Sequence, residues 1–230
     1  VIPEVDKSEF KPGSEYRYLG GEVMRRDIPA KSNGSEIYAI DIQIPGMAFA
    51  SILRSAVEGD GPATVDDTAA KAVDGVTDIV VLPYGIAVVG NSVEATHRGK
   101  QALKVTWTTG SPFQNSDTQR ALSDYETVAR DLDFEGTTWN GTGDPKPVLA
   151  SSAEIVDALY TSDPAYHAQM EPLNCTASVS DDGKSAEIWV GTQTQSLTIL
   201  GAAEALETST ENIMLHPMTM GGGFGRRSIL

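Results

Sequence analysis

The chain has 230 residues, enough for one large domain or two small ones with a buried core. Its 17 Lys and Arg face 32 Asp and Glu, a formal net charge of -15 spread along the chain, which excludes the basic patches that nucleic acids and anionic membranes need. Its single cysteine, Cys175, excludes an internal disulfide and a CxxC zinc or iron–sulfur site, and no apolar run approaches the ~20 residues of a membrane span.

Residues 1–15 are polar and turn-rich and read as a tail. Residues 25–34, RRDIPAKSNG, read as a loop, with Asn33-Gly34 as a turn. The alternation in EIYAIDIQI predicts a strand over 36–44, and Pro45-Gly46 turns the chain into a second strand over 47–56. A short helix is expected over 65–73, stopped by Gly75, followed by strands over 76–82 and 85–92. Ser92 opens a helix over 92–103, and KVTW (104–107) ends this compact unit. After a linker, Ala121, Leu122, Tyr125, Val128, Ala129 and Leu132 fall at helical spacing, with Asn115 or Ser116 as the cap. Residues 135–147 read as loop. Strands are then expected near 153–161, 165–179 and 185–191, a helix over 196–207 and a last strand over 212–218.

That last strand leads into GGGFGRR (221–227). Clustered glycines let backbone approach a ligand, and their N–H groups can face an oxyanion or phosphate. Two arginines beside them add charge for an anion. The Walker ending and the Rossmann spacing are both absent, and a hinge made basic by chance is the plain alternative. In AYHAQMEPLNCTA (165–177), Pro172 and the β-prone flanks argue against a helix. Positions four apart share a face of a strand, so a His167–Glu171 metal pair stays open beside a purely structural role. His97 and His216 lack acidic neighbours at ligand spacing. Cys175 is either a small buried thiol or a nucleophile with His216 as its partner. Thr192, Gln193 and Gln195 lie between a strand and a helix, as ligand donors or as caps.

HAQMEPLNCTA, then WVGTQ, then a helix, then GGGFGRR, resembles the molybdopterin-binding large subunit of the xanthine dehydrogenase and aldehyde oxidase family. The GRR ending is most similar to the isoquinoline oxidoreductase branch and related bacterial aldehyde dehydrogenases. Residues 16–55 resemble the entry to that family's α/β hammerhead domain, and residues 85–107 its exit. The resemblance implies an α+β chain: a tail (1–15), the hammerhead (16–107), a linker with one helix (108–150) and the first part of a molybdenum-cofactor-binding α+β domain (151–230).

It also implies a molybdenum-dependent oxidoreductase. Such an enzyme hydroxylates a carbon beside a ring nitrogen, or oxidises an aldehyde, with water as the oxygen source. The cofactor is molybdopterin, as the cytosine dinucleotide, and electrons leave through iron–sulfur clusters on a small partner subunit, toward cytochrome c or another acceptor. On this resemblance Gln193 hydrogen-bonds an oxo ligand of molybdenum, and Gly222, Gly223, Phe224 and Gly225 form the loop against the cofactor. Arg226 and Arg227 are assigned, by their charge, to pterin or nucleotide phosphate. Relatives place a substrate-binding glutamate after this loop; here the position is Ser228, so purine-type recognition is not expected. Glu171 is expected to shape the site or a domain contact.

The general base is expected beyond Leu230, so the chain reads as an internal piece of a larger subunit, inactive without the remainder. A periplasmic location follows from the same branch. The alternatives are a non-catalytic interaction domain on the same fold and an anion-binding module that uses the glycine loop alone.

Overall fold

The computed structural model describes residues 4–228. The chain divides into two compact units: Val1–Gln43 with His167–Leu230, and Ile44–Tyr166. These cut across the boundaries expected above, because residues 16–43 group with the C-terminal sheet and residues 151–166 with the unit that starts at Ile44.

Residues 25–34, expected as a loop, hold a short helix, α1 (Ile28–Asn33). Pro29 sits in its first turn, where no N–H is needed, and Gly34 closes it at φ 79° while donating to the Ala30 carbonyl. Residues 36–44 are not the expected strand. Ala39–Asp41 form a 3-10 turn because the Asp41 carboxylate accepts the Tyr38 N–H at 2.9 Å, a local bond that competes with strand pairing. The ladder contact of this stretch is an isolated parallel bridge from Tyr38 to Thr219.

The unit from Ile44 contains β1 (Phe49–Arg54), β2 (Pro62–Asp66), α2 (Thr68–Lys71), β3 (Val76–Leu82), β4 (Gly85–Gly90), α3 (Val93–Ala102) and β5 (Lys104–Trp107). The first sheet runs β1-β4-β3, all antiparallel. Ile86 and Val88 alternate onto its covered face and are fully buried with Ala70, Ala95 and Thr96 of the two helices. The helix α3 lies so close that a Cβ on Gly99 would meet Val76 and Val88 at 2.8 Å. Ser92 caps α3 as expected, accepting the Ala95 N–H at 3.2 Å. Strand β2 was not foreseen; it pairs antiparallel with the distant β5, Asp66 opposite Lys104 and Pro62 opposite Trp107.

Two further helices follow, α4 (Thr118–Arg130) and α5 (Pro145–Ser151). The cap of α4 is Asp117, which accepts the Arg120 N–H at 2.8 Å; Asn115 instead ends a preceding 3-10 turn, and Ser116 lies outside the helix. No residue of α4 is fully buried: Ala121 and Leu122 are half-buried, while Tyr125 and Val128 of its apolar stripe are exposed. Residues 152–174 form neither helix nor strand. The strand expected near 153–161 is absent, and the one expected over 165–179 shrinks to β6 (Cys175–Val179).

The remaining elements are β7 (Ala186–Val190), α6 (Gln195–Ala205) and β8 (Ile213–Pro217). The sheet runs β6-β7-β8: β6 and β7 pair antiparallel, while β7 and β8 are parallel with α6 as the crossover between them. Ala186, Ile188 and Ile213 bury one face of this sheet against Ala203, with Val190, Ile199 and Leu215 packed around them. Because β7 and β8 are parallel and in register from Ala186–Ile213 to Val190–Pro217, the turn after β7 and the glycine loop after β8 leave the same sheet edge. The carboxyl ends of adjacent parallel strands are where open α/β sheets hold ligands. The molecule is a mixed helix-and-sheet protein, as expected. No helix among the described residues is long and apolar enough to cross a membrane.

Candidate functional site

Three stretches converge at that edge: residues 167–174, the turn Gly191–Thr194 and the loop Gly221–Ser228. Sequence reading singled out all three; the structure brings them into hydrogen-bond contact.

The glycines are required by close approach. A Cβ on Gly221 would fall 2.5 Å from Glu171 Cβ, and one on Gly223 would fall 2.6 Å from Gln193 Oε1. Gly222 and Gly225 take positive φ, 107° and 92°, which only glycine adopts readily. Phe224 also has a positive φ, 53°, uncommon for an aromatic residue, and its ring is exposed at the loop apex. Arg226–Ser228 end the loop in a 3-10 turn, with Arg226 N–H bonded to the Gly223 carbonyl at 2.9 Å.

Gln193 faces this loop. Its Oε1 accepts the Gly225 N–H at 2.9 Å, which fixes the amide and leaves Nε2 without a protein acceptor among the described residues. The N–H groups of Gly222, Gly223 and Phe224 likewise have no protein acceptor among the described residues. Four donors of this loop and turn are therefore left for a ligand. Thr192 is buried, pairs with Thr198 Oγ1 at 2.9 Å and donates to the Arg227 carbonyl at 3.2 Å; its role is to hold the turn. Gln195 donates back to the Thr192 carbonyl at 3.5 Å, the capping alternative.

The two arginines part company. Arg226 is half-buried and makes no ion pair among the described residues. Arg227 is 5% exposed and points inward. Its Nη2 donates to Glu171 Oε2 at 2.8 Å and to the Glu171 carbonyl at 3.1 Å, and its Nη1 donates to the Gly191 carbonyl at 3.1 Å. The phosphate contact assigned to Arg227 by charge is corrected by this geometry: both terminal nitrogens are committed inside the protein.

Glu171 is 8% exposed and accepts from four groups: Gly221 N–H (2.8 Å), Arg227 Nη2 (2.8 Å), Asn174 Nδ2 (3.0 Å) and Ile40 N–H (3.3 Å). Burial pushes its carboxyl up, but the bonds from Asn174 and Gly221 and the nearby Arg227 charge outweigh that, and it titrates below the ordinary glutamate value. A carboxylate so occupied has no lone pair left for a metal, which disfavours the His167–Glu171 metal pair. The His167 ring instead approaches Gly225.

Cys175 is paired across the hairpin with Val190, whose side chain packs toward α6, while His216 is paired with Trp189 on the opposite face of the sheet. Alternation along the strands thus separates the two, and the nucleophile–base alternative falls. Although Cys175 is exposed as a residue, the atoms around its sulfur push the thiol pKa up, away from thiolate. His216 stacks on Trp189 at 4.7 Å, and its Nε2 lies 3.0 Å from Glu187 Oε2, an acidic neighbour that strand pairing supplies and sequence spacing does not show.

Residues 127–230 match the family described as molybdopterin cofactor-binding domain. The chain is 35% identical over 227 residues to isoquinoline 1-oxidoreductase subunit beta of Brevundimonas diminuta, covering 95% of this chain and 28% of that protein. It is 32% identical over 233 residues to the membrane-bound aldehyde dehydrogenase (pyrroloquinoline-quinone) of Gluconacetobacter polyoxogenes, covering 97% of this chain and 30% of that protein. Its backbone matches the crystal structure of quinoline 2-oxidoreductase from Pseudomonas putida 86 with a TM-score of 0.64 at 19% identity, covering 90% of this chain and 31% of that one. The last likeness shows a shared fold. The chain spans less than a third of the length of each of these relatives.

Proposed function

This chain belongs to the molybdopterin-binding large subunits of the xanthine dehydrogenase and aldehyde oxidase family, and from that premise we propose that it supplies part of the cofactor site of a molybdenum hydroxylase acting on an aldehyde or an N-heterocycle. One observation carries the reading: the Gln193 amide is fixed by the Gly225 N–H against a glycine loop in which the N–H groups of Gly222, Gly223 and Phe224 have no protein acceptor among the described residues. The residues fit the group. An oxygen-rich, anionic pterin needs donors and close backbone approach, and Gln193 Nε2 with the Gly222–Phe224 N–H groups provides both. When bound, the molybdenum–pterin group supplies two-electron oxidation of a substrate carbon, with the added oxygen drawn from water.

The chain's own residues have distinct tasks in this proposal. Gln193 donates to an oxygen on the metal side of the group. Gly222, Gly223 and Gly225 let the backbone close on the pterin, and Phe224 covers it. Arg226 takes an anionic oxygen of the pterin or nucleotide phosphate. Arg227 holds the loop from behind. Glu171 cannot serve as general base, because an ion-paired carboxylate with four donors has no proton affinity to spare near neutrality. That base is assigned to polypeptide outside this chain.

The same reading extends to a hammerhead arrangement in the unit from Ile44, a cytosine dinucleotide form of the cofactor, and electron exit through iron–sulfur clusters on another subunit toward an acceptor such as cytochrome c. The name of the Brevundimonas relative, a subunit beta, supports a partner subunit. A periplasmic site of action belongs to this proposal as well. The Gluconacetobacter relative carries pyrroloquinoline quinone in its name; the molybdopterin-domain match over 127–230 and the donor set around Gln193 favour molybdopterin here. A non-catalytic interaction domain is not favoured. The test is metal and pterin analysis of the native particle that carries this chain, with a Gln193→Ala variant beside it. Stoichiometric molybdenum in the parent, and a lower kcat with pterin retained in the variant, is the expected result. A native particle without molybdenum, or a fully active variant, overturns the reading.

A further inference from the structure

We infer that Glu171, acting through Arg227, is a positioning residue that holds Gln193 and the glycine loop at one fixed spacing, an inference that rests on the cofactor reading above. The bonds form a closed circuit. Glu171 Oε2 accepts from Gly221 N–H and from Arg227 Nη2, both at 2.8 Å. Arg227 then grips both ends of the Gly191–Gln193 turn: Nη1 donates to the Gly191 carbonyl at 3.1 Å, and the Arg227 carbonyl accepts the Gln193 N–H at 3.1 Å. Gln193 Oε1 returns to the loop at Gly225 N–H, 2.9 Å. The Glu171 links fix both ends of the loop, and the Arg227 and Gln193 links run between the loop and the turn that must face the cofactor together.

Shape requirements agree with the circuit. A Cβ on Gly191 would meet Arg227 Nη1 at 2.8 Å, and one on Gly221 would meet Glu171 Cβ at 2.5 Å. Two glycines of the site are thus glycines because the pair occupies the space beside them. A well-packed apolar pair would support the fold as well or better. It would leave the Gly221 and Ile40 N–H groups without an acceptor and remove the side-chain link from Arg227 to the Gly191 carbonyl. Glu171 offers nothing to a ligand directly, since Asn174 and Ile40 take its other oxygen.

The experiment uses the full-length enzyme in its native complex, as parent, Glu171→Gln and Arg227→Lys. Amide hydrogen exchange is followed in peptides over 191–195 and 221–228, with a peptide over α3, in the other unit, as control. Pterin is released from each and quantified by fluorescence, and kcat and KM are measured separately. Glu171→Gln places an amide donor against donors; exchange should rise about tenfold in both site peptides, with the α3 peptide unchanged. Pterin per subunit should fall by about half or more, and what activity remains should show lower kcat at nearly unchanged KM. Arg227→Lys keeps the charge but loses the fork, so exchange should rise over 191–195 more than over 221–228. Unchanged exchange in both site peptides, or an equal rise in all three, overturns the inference. If Glu171→Gln fails to fold, the unequal response expected of Arg227→Lys decides it. A parent enzyme without pterin would sink the cofactor reading, while the exchange pattern would still judge the circuit.

Discussion

Residues 152–166 and residues 167–174 adjoin in sequence, and neither forms a helix or strand. The second stretch is anchored by Glu171, whose carboxylate accepts from four separate places in its unit. The first holds Val156, Tyr160 and Tyr166 with nearly their whole surface in water; Tyr160 is 91% exposed. In irregular backbone, a buried charge with every lone pair satisfied selects one conformation, whereas apolar side chains with nothing over them select none. The candidate site is built from the anchored kind. The exposed kind presents an apolar surface that contributes to stability only when other polypeptide covers it.

The sharpest way to break this contrast is Arg227→Ala. It leaves Glu171 buried without its counter-charge, and about 3–5 kcal/mol of stability should be lost, read as a drop in urea midpoint. A loss below about 1 kcal/mol would mean that the loop is held by something else. Next is Gly223→Ala. The new methyl would sit against Gln193 Oε1 and push the amide off Gly225, for about 1–3 kcal/mol and a measurable loss of bound pterin.

Acid gives a smaller effect with a definite sign. The folded carboxyl of Glu171 titrates below its ordinary value of 4.5, so its contribution is fully present above that value and lost as pH falls through the depressed one. Unfolding midpoints measured on the acid side should therefore fall less steeply in Glu171→Gln than in the parent. Smallest of all is Trp139→Ala in the neighbouring open loop. At 95% exposure the indole supports nothing within its unit, and the isolated chain should change by no more than about 0.5 kcal/mol. A much larger loss would show that the open stretches are packed after all.

How much of this was legible in sequence depended on how far apart the interacting groups lie. Helix α3, its Ser92 cap and strands β3, β4, β7 and β8 were readable because alternation, periodicity and capping act over a few residues. Strand β2 was missed because its partner β5 is distant. Residues 36–44 misled because Asp41 competes locally for the Tyr38 N–H, which outweighs an alternating pattern. At the site, Gln193 and the glycines could be named from the family resemblance, and the loop's need for glycine from composition. The inward turn of Arg227 could not, since nothing in GGGFGRR distinguishes the two arginines; the signal is a glutamate 56 residues earlier.

The bond from Ile40 N–H to Glu171 spans 131 positions of chain, and the one to Gly221 spans 50. Contacts closing such long loops are made late in folding, after local helices and hairpins have formed. On this account the Glu171 contacts of the candidate site are among the last features of its unit to take shape. Until residues 36–42 arrive, Glu171 lacks its Ile40 donor, and the loop after β8 is held to the turn after β7 by the Arg227 and Gln193 bonds.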